Sequence, residues 1–128
     1  MSACERQLDR LAVEAAAPER KIAKIFDWHE RWFQSPDFHG CLFAHALAEF
    51  GDPGHPVFQA AIRQKNGLKR RMQAILEAAM PPEQAESAAA ALLMLIEGAT
   101  LMAQMGQPAI DSARKAADAV IASARTVQ

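Results

Sequence analysis

"AAAALLMLIEGATLMAQMG", residues 88–106, contains the most apolar run of the chain. Its apolar residues recur at helical spacing and predict a helix from Pro82 to Met105. A helix that is apolar on most sides must be buried on more than one side, so we expect several neighbours around it. The uninterrupted run ends at Glu97 and is well short of the roughly 18 apolar residues that indicate a membrane span. The predicted inward face is Ala85, Ala89, Leu92, Ile96, Ala99 and Ala103, and Leu93, Met94, Leu101 and Met105 cover much of the rest.

The flanking sequence has the same helical periodicity and is divided by prolines. Pro18 suits a helix start, because a first-turn proline loses no hydrogen bond, and the residue before Pro36 avoids the helical region. "GDPG" at residues 51–54 predicts a turn. The sequence therefore predicts an all-α, six-helix bundle in a single domain over residues 1–128. The approximate helix bounds are 8–15, 18–35, 40–50, 56–80, 82–105 and 108–124.

Composition limits the classes of function. The chain has 128 residues, 51% of them hydrophobic, and a net charge of −1. That size and composition fit one globular domain with a real core. The charge balance argues against a strong phosphate-binding surface. Two cysteines are too few for a disulfide framework, and the N-terminus lacks the apolar core of a signal peptide, so we expect a cytoplasmic protein.

The histidines do not have the spacing of a metal site. They follow one another at ten, six and ten residues, whereas zinc sites usually present ligands at tight spacing. We therefore predict neither a metal nor another cofactor. His29 lies on an apolar stripe, where a buried core histidine with one satisfied nitrogen is the default and a pocket-lining role is the alternative. Trp28 and Trp32 share that choice between core and pocket wall.

Cys41 and Glu97 each leave alternatives open. Cys41 falls in the first turn of the predicted 40–50 helix, where the helix N-terminus can stabilise a thiolate. A thiol-based redox or electrophile sensor would place a cysteine there, but a small buried hydrophobe is the plainer interpretation. Glu97 interrupts an apolar run, and a buried carboxylate is costly unless it is paired. Three alternatives stay open: the carboxylate faces a pocket and meets a ligand, it hydrogen-bonds across an interface, or it is exposed at the helix edge.

Other patterns carry no chemistry of their own. Arg63, Lys65, Lys69, Arg70 and Arg71 form a basic cluster on the long helix, which we interpret as a solvated face. The sequence contains no Gly-rich phosphate loop, no nucleophile elbow and no paired-carboxylate motif. We therefore predict that the chain is not an enzyme.

Several motifs together resemble the TetR family of transcriptional regulators. They are "FHGCLFAHALAEFGDPGHPVF" from residue 38, "LLMLIEGATLMAQMG" from residue 92, and the alanine-rich last helix. The resemblance is to the C-terminal effector-binding and dimerisation domain and covers about residues 8–122. Family members carry an N-terminal helix-turn-helix head, and nothing before Leu8 could form one. We therefore predict that this chain alone does not bind duplex DNA specifically.

The resemblance implies a function for two parts of the chain. The short helix and the long helix after it would wall a cavity for a small, largely apolar effector. The last two helices would meet their symmetry mates in a homodimer. The alternatives are a dimerisation-only module without a ligand, a thiol sensor based on Cys41, and a small helical enzyme. The predicted pocket residues are Trp28, His29, Trp32, Phe43, Leu47, Met72, Met94 and Glu97.

Overall fold

The computed structural model describes residues 6–10, 17–38 and 51–126. Within these residues the secondary structure is helical, with no strand, which confirms the all-α prediction. A helical segment over residues 6–10 precedes four longer helices. The predicted helix over residues 40–50 lies outside the described residues. The four longer helices are α1 (Pro18–Phe33), α2 (Pro56–Leu76), α3 (Pro82–Gln104) and α4 (Ile110–Thr126).

Prolines set the starts of three helices, as the sequence predicts. Pro18, Pro56 and Pro82 each occupy the first turn of their helix, where the missing N–H leaves no hydrogen bond unmade. The start of α2 is also capped by a side chain, because Nδ1 of His55 accepts from the Val57 N–H at 3.2 Å. Helix capping of this kind satisfies one of the N–H groups that the helix itself cannot pair.

Two helix bounds differ from the sequence prediction. The long helix α2 ends at Leu76 and not at Met80. There the Met80 N–H still donates to the Leu76 carbonyl at 3.1 Å, but Pro81 disfavours a helical conformation at the residue before it. The last helix begins at Ile110, two residues after Pro108.

The end of α3 is a Schellman motif. Gly106 has a φ of 75°, a left-handed conformation that glycine adopts without a Cβ clash. The Gly106 N–H donates to the Ala103 carbonyl at 3.0 Å, and the Gln107 N–H donates to the Met102 carbonyl at 2.8 Å. These two bonds satisfy carbonyls that the helix leaves unpaired. The prediction that Gly106 caps this helix is confirmed.

The core forms around α3, which packs against α2 on one side and α4 on the other, with α1 in contact with all three. Fully burying one aliphatic side chain stabilises the fold by about 1.5–3 kcal/mol, and several such residues meet here. Seven residues of α3 are buried: Ala85, Ala88, Ala89, Leu92, Ile96, Ala99 and Thr100. They match the predicted inward face closely.

Length and composition alone would let α3 cross a membrane. The stretch of α3 that is apolar enough to span a membrane includes Glu97 and residues after it. The sequence prediction considered only the uninterrupted apolar run before Glu97. Core helices of soluble proteins pass the same test, and 39% of that stretch is already buried against the rest of the chain.

Ion pairs hold α1 against α4. Arg114 of α4 donates to Asp27 at 2.5 Å and to Glu30 at 2.6 Å, both on α1. Arg125, near the end of α4, pairs with Glu19, near the start of α1. The two helices therefore run antiparallel. Partial burial acts to lower the pKa of Arg114, but the hydrogen bonds and charges of Asp27 and Glu30 outweigh it and raise that pKa.

Candidate functional site

Aromatic rings surround His29 near the end of α1. The ring centroid of Trp28 lies 5.0 Å from that of His29, and the centroids of Trp32 and Phe33 each lie 6.2 Å from it. Phe38 extends the group by an edge contact with Trp32 at 4.9 Å. Helical spacing explains the positions of Trp32 and Phe33, since residues three and four apart share a face. His29 is only 5% exposed, whereas its four aromatic neighbours are half-buried.

The His29 ring has a defined hydrogen-bonding pattern. Nδ1 lies 2.8 Å from the Ile25 carbonyl oxygen, so this nitrogen carries a proton and donates. In the neutral ring Nε2 is then an acceptor. Burial lowers the pKa of His29; the hydrogen bond to Ile25 acts the other way, and the charge of Lys65 lowers the pKa while that of Glu97 raises it. With burial as the largest cause, the ring is neutral at pH 7.

An ion pair joins α2 and α3 beside this histidine. Nζ of Lys65 lies 2.8 Å from Oε1 of Glu97, and both side chains are partly buried. Both charges act on the His29 ring, so three helices bring polar groups to one place. We call His29, Lys65, Glu97, Trp28 and Trp32 the polar–aromatic cluster.

A second feature is a bare apolar face on α3. Met94 is 69% exposed, Leu101 49% and Met105 57%, although all three are large apolar residues. Their stripe has a heptad-like spacing, alternately four and three residues, along Ser87, Ala91, Met94, Gly98, Leu101 and Met105. Such a stripe is typical of helices that pack against a partner helix.

Beside this stripe a groove runs between α3 and α4. Its volume is about 480 Å³. Apart from Gln84, the side chains along it are small, so a side chain from outside has room to enter. They are Gln84, Ser87, Ala88 and Ala91 of α3, and Ala119, Val120, Ser123 and Ala124 of α4.

Comparison with known proteins identifies the family. A sequence model described as "Tetracyclin repressor-like, C-terminal domain" matches residues 18–119. The chain belongs to the TetR C-terminal domain family. The fold agrees: the TetR-family transcriptional regulator SCO4454 from Streptomyces coelicolor superposes with a TM-score of 0.83 at 21% identity. The match covers 95% of this chain and 61% of that one, so this TetR domain spans less than two thirds of the neighbour. No curated protein sequence matches the chain.

The TetR domain brings together half of the predicted pocket residues. Trp28, His29 and Trp32 are neighbours on α1, and Glu97 lies within electrostatic reach of His29. Glu97 pairs with Lys65 of the neighbouring helix, and the prediction that it lines a pocket stays a prediction.

Two of the other predicted pocket residues are placed elsewhere. Met72 is fully buried in the hydrophobic core, and Met94 is exposed on the bare face of α3 and is not part of the cluster. Phe43, Leu47 and Cys41 lie outside the described residues, so the predictions made for them stay predictions. Within the described residues, no group of three His, Cys, Asp or Glu side chains could hold a metal.

Lys65 is the cluster residue that sequence reasoning missed. It was grouped with a basic cluster interpreted as a solvated face, but Lys65, Lys69 and Arg71 each pair with a carboxylate. Arg63 and Arg70 are exposed. A signal was available: Glu97 in an apolar run requires a cation on a neighbouring helix, and the long basic helix is the adjacent element along the chain.

Proposed function

We propose that this chain is the ligand-sensing and dimerisation domain of a TetR-type transcriptional regulator, working in the cytoplasm and binding a small, largely apolar effector. The observation that carries this proposal is the bare apolar face of α3. A protein that functions as a monomer would not expose Met94, Leu101 and Met105 along one stripe of a helix. Exposed apolar patches of this kind mark interaction sites.

The bare face fits a second copy of the chain. A two-fold axis places the same surface of both protomers together, so bulky and small residues must complement each other. The C-terminal half of α3 supplies the bulky Met94, Leu101 and Met105. The N-terminal half and α4 supply the groove lined by small side chains. An antiparallel pairing about such an axis lets the bulky half of each protomer cover the groove of the other.

The polar–aromatic cluster supports effector binding over a dimerisation-only module. Enclosing a histidine beside an ion pair costs free energy, and only one nitrogen of the His29 ring is matched by the Ile25 carbonyl. Half-buried tryptophans around a buried polar group are typical of ligand sites, which combine apolar walls with a few placed polar atoms. Trp28, Trp32 and His29 provide that combination.

The dimer is tested by replacing the bare-face residues. Met94→Glu combined with Leu101→Glu should convert the dimer to a monomer in sedimentation equilibrium at micromolar concentration, because two desolvated carboxylates per protomer would face each other. Ala74→Glu, at an exposed position of α2, is the control and should leave the dimer intact. A wild-type chain that sediments as a monomer would refute this part of the proposal.

Effector binding is tested by a thermal-shift screen of the dimer against small apolar and amphipathic compounds. A compound at 100 times its Kd stabilises the folded state by about 2.7 kcal/mol. Because the only two tryptophans of the chain lie in the cluster, intrinsic fluorescence reports binding there directly. Binders that shift the melting temperature without changing tryptophan emission would place the effector elsewhere.

A further inference from the structure

The order of large and small side chains along the bare face of α3 indicates how two copies of this helix pair. We propose that α3 packs antiparallel against α3 of a second copy in one register, in which every large residue of the stripe lies against a small one. This inference rests on the proposed dimer and adds the pairing of its residues. The large residues of the stripe are Met94, Leu101 and Met105, and the small ones are Ser87, Ala91 and Gly98.

A two-fold axis fixes which residues of the stripe meet. When two copies of one helix pair antiparallel about such an axis, residue i of one copy faces residue j of the other, and residue j faces residue i. All of these pairs share one midpoint, which is the level of the axis. With the axis at the level of Ile96, each large residue faces a small one. The pairs are Met94 with the partner's Gly98, Leu101 with the partner's Ala91, and Met105 with the partner's Ser87.

Other arrangements of the stripe match large and small residues less well. A shift of the partner by one heptad keeps apolar residues at the seam, but in one direction it puts Met94 against the partner's Met105. In the other direction it puts Ser87 against the partner's Gly98. A parallel pairing about a two-fold axis puts every residue against its own copy. Two large side chains at one level are overpacked and two small ones leave a cavity, and both cost free energy.

Gly98 supports the register centred on Ile96. A glycine inside a helix is less stable than an alanine, so its presence there needs a reason. A Cβ added at Gly98 would meet nothing within 4 Å, so no contact among the described residues requires a glycine at this position. In the proposed register the missing side chain leaves space for the partner's Met94.

The groove between α3 and α4 supports the same register. Ser87 and Ala91 line this groove, which has a volume of about 480 Å³. The residues that face them are the partner's Met105 and the partner's Leu101, which are 57% and 49% exposed in the single chain. Each copy therefore inserts two large apolar side chains into the groove of the other, and the two-fold axis repeats the contact.

The register is tested by cross-linking, in a chain whose own cysteines are removed by Cys4→Ser and Cys41→Ser. Ser87→Cys chains mixed with Met105→Cys chains should form a mixed disulfide dimer under mild oxidation. Neither variant should cross-link alone, because the two positions lie roughly 27 Å apart along the helix and a disulfide requires Cα atoms within about 7 Å. Ala74→Cys, at an exposed position of α2, mixed with Met105→Cys is the control and should give no dimer.

A swap of large and small residues gives a second test. Gly98→Met puts two methionines at one level beside the axis and should raise the dimerisation Kd about tenfold or more. Adding Met94→Gly returns each pair to one large and one small residue and should recover most of that loss in sedimentation equilibrium. Gly67→Met on α2, where a Cβ would also meet nothing within 4 Å, is the matched control, and circular dichroism checks that each variant folds.

The outcomes separate the register from the dimer itself. Cross-linking of Ser87→Cys or Met105→Cys with its own copy would show a parallel pairing and overturn the register while the dimer stands. A wild-type dimer that forms no mixed disulfide, or a swap that restores no affinity, would overturn it as well. If the wild-type chain is a monomer, the proposed dimer fails and the register fails with it.

Discussion

The two faces of α3 differ little in composition and greatly in environment. One face, with Leu92 and Ile96 at its centre, is completely buried against α1, α2 and α4. The opposite face, with Met94 and Leu101, remains exposed. The apolar pattern of the sequence predicts that both faces must be covered, and the part of the chain that the structure describes covers only one. The covered face therefore determines the fold, and we propose that the bare face serves assembly.

The largest expected effect comes from the same substitution on each face. Leu92→Ala should lower the free energy of unfolding by about 2–5 kcal/mol, because it leaves a cavity among packed neighbours. Leu101→Ala should change the unfolding of the isolated monomer by less than about 0.5 kcal/mol, as is usual for surface positions. Urea denaturation at several protein concentrations measures both and separates folding from association. If both substitutions lower the free energy of unfolding equally at low protein concentration, the two faces do not differ in their contribution to folding.

The fold and the site were predictable to different extents, for a physical reason. Helix starts at Pro18, Pro56 and Pro82 follow from local chemistry, and so does the Gly106 cap. The inward face of α3 follows from periodicity. The cluster depends on contacts between residues distant in sequence, such as Lys65 with Glu97.

Met94 illustrates the same limit. Local pattern marks it as apolar and helical, and both are right. Which of the two apolar faces of α3 turns to a neighbour is decided by where α2 and α4 pack, and periodicity does not contain that information. A residue that looked suited to an internal pocket is therefore exposed in the monomer.

The next effect concerns the small residues beside the bare face. Ala119→Trp on α4 should weaken the dimer about tenfold or more, because a large ring fills the groove that we assign to the partner's side chains. Ala119 is exposed in the monomer, so the monomer should fold normally. Ala74→Trp, at an exposed position of α2, is the matched control. A Kd for dimerisation that stays the same in both variants, measured by sedimentation equilibrium, would show that the groove lies outside the interface.

A smaller effect is expected from the ion pairs that keep α1 over the covered face. Arg114→Met removes the partner of both Asp27 and Glu30. All three side chains are partly exposed, so solvent screening limits the loss to roughly 0.5–1.5 kcal/mol, and added salt should reduce it. Arg70→Met, at an exposed position of α2, is the control. The unfolding free energy at low and high salt is the measurement, and a loss that does not depend on salt would assign the role of Arg114 to packing.

The smallest effect is a pH dependence confined to the covered side of the molecule. The pKa of His29 is lowered by burial, so below the ordinary value of about 6.5 the unfolded chain binds a proton that the folded chain does not. The contribution of His29 to stability is therefore complete above about pH 6.5 and is lost as the pH falls toward the folded pKa, with a slope of at most about 1.4 kcal/mol per pH unit. His29→Asn keeps a donor for the Ile25 carbonyl but cannot titrate, so the wild-type minus variant difference should grow smaller from about pH 7.5 to 5.5. The bare-face stripe defined above contains no ionisable side chain, so the dimerisation Kd should change much less over the same range. A difference in unfolding free energy that is flat with pH would mean that His29 is protonated in the folded chain as readily as in the unfolded one.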